Sequence, residues 1–206
     1  MKLVREEILV AAGIRGSSPQ LSVVLSEIRT SVRDVHWPPG SGSFTIHPES
    51  GKKRGQGNGV VPIQRSFVDH LLAQGGWKPQ APFPITTPKG ERGFGAMDAS
   101  KVVEGDIFCV EWETGNISSS HRTVNKLCVG LLGRAIAAGV LVIPTARMAR
   151  YLTDRIGTLE ELSPYFSYWR KQPIEDGALV VMAVEHDAES VDVPRIRKGT
   201  DGWAQT

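Results

Sequence analysis

Hydrophobic and polar positions alternate most clearly in the middle of the chain. From Asp106 onward, Phe108, Val110 and Trp112 interleave with Cys109, Glu111 and Glu113. This period of two predicts a half-buried strand, with the carboxylates of Glu111 and Glu113 leaving the same face. Gly115-Asn116 ends it, and Ser118-Ser119-Ser120 offers N-caps for a helix beginning near Ser118. That helix carries a wide apolar stripe through Val124, Leu127, Cys128, Leu131, Leu132, Ala135 and Ile136. Gly133 and Gly139 are both candidate stops, and Val140 to Ile143 reads as a strand buried on both faces. Upstream, Leu21, Val24, Leu25, Ile28, Val32 and Val35 predict a helix over 19–35, opened by Pro19 and ended by Pro38-Pro39. A second helix runs from Pro62 to Gly75-Gly76, and Trp77 to Pro88 reads as irregular. Further helical segments are predicted over Ala146 to Leu152 and Leu159 to Tyr168, and a last strand over Ala178 to Val184.

The stretch Ala96 to Val103 predicts a strand that pairs with the acid strand. If Glu104-Gly105 is a two-residue hairpin loop, Val103 faces Asp106 and Asp98 falls opposite Glu111. Opposed residues share a face, so Asp98, Glu111 and Glu113 are expected on one patch. Acids that close require a cation or a proton to offset their repulsion, and a few hard oxygen ligands suit Mg²⁺. A helix start just beyond them favours an anion such as phosphate. The order of elements gives an α/β fold, a central mixed sheet flanked by helices. Strand, crossover helix and strand imply a parallel pair.

Composition narrows this picture. The 206 residues fit one domain, 1–206. An irregular loop over about 38–59 holds a short strand-like Ser43 to Ile46 and the basic residues Lys52, Lys53 and Arg54. A net charge of +2 gives no bulk attraction for nucleic acid, so any DNA affinity must come from local clusters. Cys109 and Cys128 make no disulfide framework and fit a reducing cytoplasm. The N-terminus places two glutamates where an export signal needs an apolar run. The longest apolar run, Ala135 to Pro144, is too short to cross a membrane. His121 has no partner at zinc-ligand spacing.

Asp98 followed by Glu111-x-Glu113 on this order of elements resembles the PD-(D/E)xK nuclease core. VEWETGNISSSHRTVNKL (110–127), YLTDR (151–155), EELSPYF (160–166), GVVPI (59–63) and KGTDG (198–202) are similar, more closely, to the BamHI-like type II restriction endonucleases. The resemblance implies that Asp98, Glu111 and Glu113 are catalytic, with Asp98 and Glu111 holding Mg²⁺. It implies that Asn116, Ser118, Arg122, Asp154 and Arg155 read bases, as their chemistry allows, and that Asp201 and Gly202 reach the minor groove. It further implies a homodimer on double-stranded DNA, cutting both strands of GGATCC after the first G. A cognate methyltransferase would act on the same site without binding the enzyme. Gln80 stands where the family has an acid, Gln64 where it has a lysine and Trp203 where it has a methionine. The linker between Asp98 and Glu111 and the C-terminal segment are shorter than the family's.

Taken without the resemblance, the same residues admit plainer readings. Glu111 and Glu113 fit the wet face of an edge strand, Asn116 and Ser118 fit ordinary caps, and Asp154-Arg155 fits a surface ion pair. Arg122 and Lys126 fit a solvated helix face, and Cys109 an inert thiol. Two other function classes fit parts of the pattern: a DNA-binding protein on this fold without cleavage, and a glycoside hydrolase with paired carboxylates. The second lacks an aromatic platform around the acids. Sensitivity to chelators separates it from a nuclease, and turnover separates the first.

Overall fold

A computed structural model describes residues 1–52, 56–85, 94–153 and 155–197. In chain order the elements are β1 (Lys2–Ala12), α1 (Pro19–Arg33), β2 (Thr45–Ile46), α2 (Val61–Ala73), β3 (Trp77–Pro82), β4 (Ala96–Val103) and β5 (Asp106–Trp112). There follow α3 (Ile117–Leu132), β6 (Ala138–Pro144), α4 (Ala146–Ala149), α5 (Leu159–Leu162), α6 (Phe166–Trp169), β7 (Gly177–Glu185) and β8 (Ala188–Glu189). Six strands form one mixed sheet in the order β1-β7-β6-β5-β4-β3. β5, β6 and β7 run parallel, and the outer pairings are antiparallel. The predicted α/β architecture with a mixed central sheet is the one observed.

Helices cover both faces. α1 and α2 pack with Phe108, Val110, Trp112, Val140, Val180 and Met182 on one side. On the other, Val124, Leu127 and Leu131 of α3 pack with Cys109, Leu141, Leu179 and Val181, joined by Leu162, Phe166 and Trp169. β6 is buried along its whole length, as its unbroken apolar run predicts.

The hairpin turn is the two-residue loop anticipated: Glu104 and Gly105 both have positive φ, 51° and 89°. Val103 pairs with Asp106, and the register continues to Ala99 opposite Val110.

Several boundaries differ. β1 was not expected. It pairs with β7 through two register shifts, and these bulges break the alternation that would have marked it. β3 replaces the irregular stretch after Trp77. Its prolines are tolerated because it is the sheet's edge strand. Pro164 interrupts the helix expected over Leu159 to Tyr168, leaving α5, a 3₁₀ turn and α6. The helix expected over Ala146 to Leu152 stops at Ala149. β2 and β8 form a separate parallel pair.

Candidate active site

Asp98 and Glu111 meet where the β4–β5 ladder ends. Past Ala99–Val110, carboxylates take the place of carbonyls: the Asp98 N–H donates to Glu111 Oε2 at 3.0 Å, and the Trp112 N–H donates to Asp98 Oδ2 at 2.7 Å. Asp98 Oδ1 accepts from Gln64 Nε2 at 2.6 Å, which brings α2 to the site. The Lys126 ammonium, carried by α3, forms an ion pair with Glu111 Oε1 and donates to the Ala96 carbonyl at 3.4 Å.

Burial and the neighbouring Asp98 charge push the Glu111 carboxyl up to about 7, against the pull of Lys126. Burial also raises Asp98, while the Trp112 amide, Gln64 and Lys126 act the other way. Both carboxyls of the pair thus hold their protons more tightly than free ones do.

Glu113 lies one residue beyond β5. Its N–H still donates to the Val142 carbonyl at 2.8 Å. The side chain is turned toward the start of α3, where Oε1 accepts from the Gly115 N–H at 2.6 Å. Only 5% of Glu113 is exposed. Its Oε2 and the Ser120 hydroxyl are both buried without a hydrogen bond of ordinary geometry, yet near enough that the hydroxyl acts on the carboxylate. Burial raises the Glu113 carboxyl, the Ser120 hydroxyl and the Gly115 N–H act the other way, and the Asp98 charge adds to the rise. Glu113 thus stands beside the Asp98–Glu111 pair, near enough for the Asp98 charge to act on it. Among the described residues no three Asp, Glu, His or Cys side chains stand together as a metal cage.

The helix beyond the acids starts earlier than expected. Asn116 is the N-cap of α3, its Oδ1 accepting from the Ser119 N–H at 3.2 Å. Asn116 is exposed, and so are Ser118 and Arg122. Arg122 donates to the Ser119 hydroxyl at 3.0 Å. Arg155 is exposed on the segment that follows α4. The Gly157 N–H donates to the Gly115 carbonyl at 2.9 Å, tying that segment to the residue that also binds Glu113. Asp154, Asp201, Gly202, Trp203, Lys53 and Arg54 lie outside the described residues.

Two residues that the sequence does not tie to the acids meet them in the fold. Lys126 reads as a solvated helix position but is 7% exposed, and no local pattern reveals a partner across the α3–β5 packing. Gln64 follows the N-terminus of α2 and meets Asp98 only in the folded chain. Cys109 is buried, and burial together with the Glu111 charge pushes its thiol up to about 12, so it is inert.

Comparison with known proteins places this site in context. The family model for restriction endonuclease BamHI matches residues 1–203. The type II restriction enzyme OkrAI of Oceanobacter kriegii is 45% identical over 99% of this chain and 99% of its own length. The type II restriction enzyme BamHI of Bacillus amyloliquefaciens is 34% identical over 87% of this chain and 82% of its own. The restriction endonuclease BglII, in complex with a DNA 16-mer, shares the fold at 12% identity, with a TM-score of 0.61 over 89% of this chain and 79% of that one.

Proposed function

The chain belongs to the BamHI family of type II restriction endonucleases, and from that premise we propose a Mg²⁺-dependent homodimer that cuts both strands of double-stranded DNA at GGATCC, after the first G. The observation that carries this reading is the part-buried Asp98–Glu111 pair, held by backbone amides at the end of the β4–β5 ladder ahead of α3. The setting is a cytoplasmic one in which a methyltransferase protects the same sequence. One domain, residues 1–206, supplies each half of the dimer.

The donor set fits a divalent ion. Two part-buried carboxylates with raised proton affinity lack a full counter-charge, and Mg²⁺ is commonly held by one or two carboxylates together with substrate phosphate. Asp98 and Glu111 would hold it. When bound, it neutralises charge on the scissile phosphate and acidifies a water.

The chain's own groups do the rest. Glu113, whose Oε2 lies buried beside the Ser120 hydroxyl, would take the proton of the attacking water, and its raised affinity suits a general base. Gly115 holds the other oxygen and so fixes the carboxylate's orientation. Gln64 orients Asp98 without adding charge. Lys126 holds Glu111 in place. The free N–H groups at the start of α3 favour the DNA phosphate. Asn116, Ser118, Arg122, Asp154 and Arg155 read base edges in the major groove, where arginine grips guanine and asparagine satisfies adenine. Asp201 and Gly202 reach the minor groove.

The test is incubation of a plasmid bearing one GGATCC site with the protein and Mg²⁺, followed by end-mapping. The expected product is a linear plasmid with ends at that site and none in the presence of chelator. Cleavage that persists in chelator, or maps elsewhere, overturns the proposal.

A further inference from the structure

Asn58 is fully buried, with 0% of its surface exposed, yet it lies in the polar loop ahead of α2 and far along the chain from the acids. Every polar atom it has is used. Its N–H donates to the Tyr151 carbonyl at 2.7 Å, and its own carbonyl accepts from the Thr153 N–H at 2.9 Å. This pairs it with Leu152 as an isolated parallel bridge. Its side-chain Nδ2 donates to the carbonyls of His47 and Tyr151, both at 2.9 Å. Oδ1 accepts from the Ile196 N–H at 3.1 Å. One side chain thus joins three separate pieces of chain, and a buried amide so fully satisfied is costly to replace.

The surroundings are shaped to the same end. A Cβ on Gly51 would lie 1.6 Å from the Leu152 carbonyl oxygen, so only glycine lets the loop approach. The Gly51 N–H donates to the Arg150 carbonyl at 3.0 Å, and the Gly59 N–H to the Ile196 carbonyl at 2.9 Å. On the far side, the Tyr151 hydroxyl donates to Glu189 Oε2 at 2.9 Å. Tyr151–Thr153 is therefore held by the loop and by β8, and Arg155, two residues on in the sequence, is exposed. Beyond Arg155 the chain is held again, by the Gly157–Gly115 hydrogen bond.

We propose that Asn58 is a positioning residue for sequence discrimination: it fixes Tyr151–Thr153, and with it the neighbouring Arg155, against the chain at Ile196. This rests on the reading of Arg155 as a base contact. A contact to a base edge rewards placement to fractions of an ångström, whereas a phosphate contact is more forgiving. Loosening the clasp blurs one base pair and spares the others.

The experiment compares cleavage of GGATCC duplexes and all their single-base variants. It uses the wild type, Asn58→Ala, Arg155→Ala and the double variant, at a temperature where each is folded. Leu25→Ala, in the α1 core, controls for lost stability. Asn58→Ala is expected to lower discrimination about tenfold at the same base pair as Arg155→Ala, and to add nothing in the Arg155→Ala background. An even change across all pairs, like that of Leu25→Ala, overturns the proposal. Loss in Arg155→Ala with none in Asn58→Ala overturns it too, and leaves the base-reading role standing. Unchanged discrimination in Arg155→Ala overturns both. Should Asn58→Ala fail to fold, Asn58→Ser serves, with hydrogen exchange at the Thr153 and Ile196 amides as the second readout. Faster exchange there together with the local loss of discrimination supports the clasp, and unchanged exchange overturns it.

Discussion

Lys126 Nζ and Glu111 Oε1 form an ion pair whose two side chains are only 9% and 12% exposed. The pair joins α3 to β5 directly behind Asp98. With Asp98 against Glu111, the lysine is the cation that offsets two adjoining acids when no metal is present. Removing one partner of a buried pair leaves the other uncompensated, which costs about 3–5 kcal/mol. Glu111 can escape part of that cost by taking up a proton. Lys126→Met is therefore expected to lose about 3 kcal/mol, the low end of that range, in urea unfolding with chelator present. Mg²⁺ should restore part of the loss. A variant as stable as wild type in chelator would show that the pair contributes little.

The acids should separate chemistry from recognition. Asp98→Ala or Glu111→Ala is expected to abolish cleavage while specific binding survives, because in the proposed reading these groups serve the phosphate rather than the base edges. Ca²⁺, larger and less demanding in geometry, should support binding without cutting. Near wild-type cleavage by either variant in Mg²⁺ would remove that residue from the chemistry.

Stability of the metal-free protein should fall as pH rises. Asp98, Glu111 and Glu113 all have carboxyls raised by burial, Glu111 to about 7. A folded-state value above the unfolded one means that the folded chain holds more protons between the two. The associated stability is complete below the unfolded value, about 4.3, and is lost as pH rises through the folded one. Thermal unfolding in chelator should show a midpoint that drops from pH 5 to pH 8, and Glu111→Gln should flatten the slope. His186 acts in the opposite sense: burial lowers it, so its contribution is lost as pH falls. A midpoint that rises steadily over this range would contradict the acid assignment.

The acid hairpin was legible in the sequence because its two signals are local: strict alternation from Phe108 to Trp112, and a Glu-Gly pair that takes positive φ. From these the pairing of Val103 with Asp106 follows, and with it the meeting of Asp98 and Glu111. Lys126 and Gln64 were not legible, because each reaches the acids from a helix packed across the sheet. β1 escaped notice because bulges at Leu3/Arg5 and Ile8/Val10 scramble its period. The α3 start was placed near Ser118 because three serines compete as caps, but the extended backbone and free side chain at Asn116 win.

That cap makes a separable test of Asn116. Aspartate caps a helix as well as asparagine does, whereas alanine costs about 1 kcal/mol. Asn116→Asp should therefore keep wild-type stability and lose specific cleavage, since it has lost the amide donor that would face a base. Asn116→Ala should lose both. Retained specificity in a stable Asn116→Asp protein would reduce Asn116 to a cap.

The apolar stripe of α3 divides in a way that bears on assembly. Val124, Leu127, Cys128 and Leu131 are buried within the chain's own core, so these positions are spent on the sheet. What remains outside is Val129 and Leu132, at 39% and 43% exposed, with Tyr165 and Tyr168 at 49% and 61%. Tyr165 stacks edge-on against His121 of α3, their ring centres 4.3 Å apart, so both sets lie on the α3 side of the sheet. Exposed apolar residues gathered on one side mark an interaction surface, and a palindromic site calls for a two-fold partner. A second copy of the chain meeting this face satisfies both. Leu132→Asp combined with Tyr168→Asp is expected to convert a dimer to a monomer in sedimentation equilibrium at micromolar concentration. The monomer should nick one strand of a single-site plasmid instead of linearising it. Neither change touches the acids or the segment bearing Arg155, so binding of each half-site should persist at reduced affinity. Wild-type protein that sediments as a monomer, yet cuts both strands in one encounter, would sink the dimer.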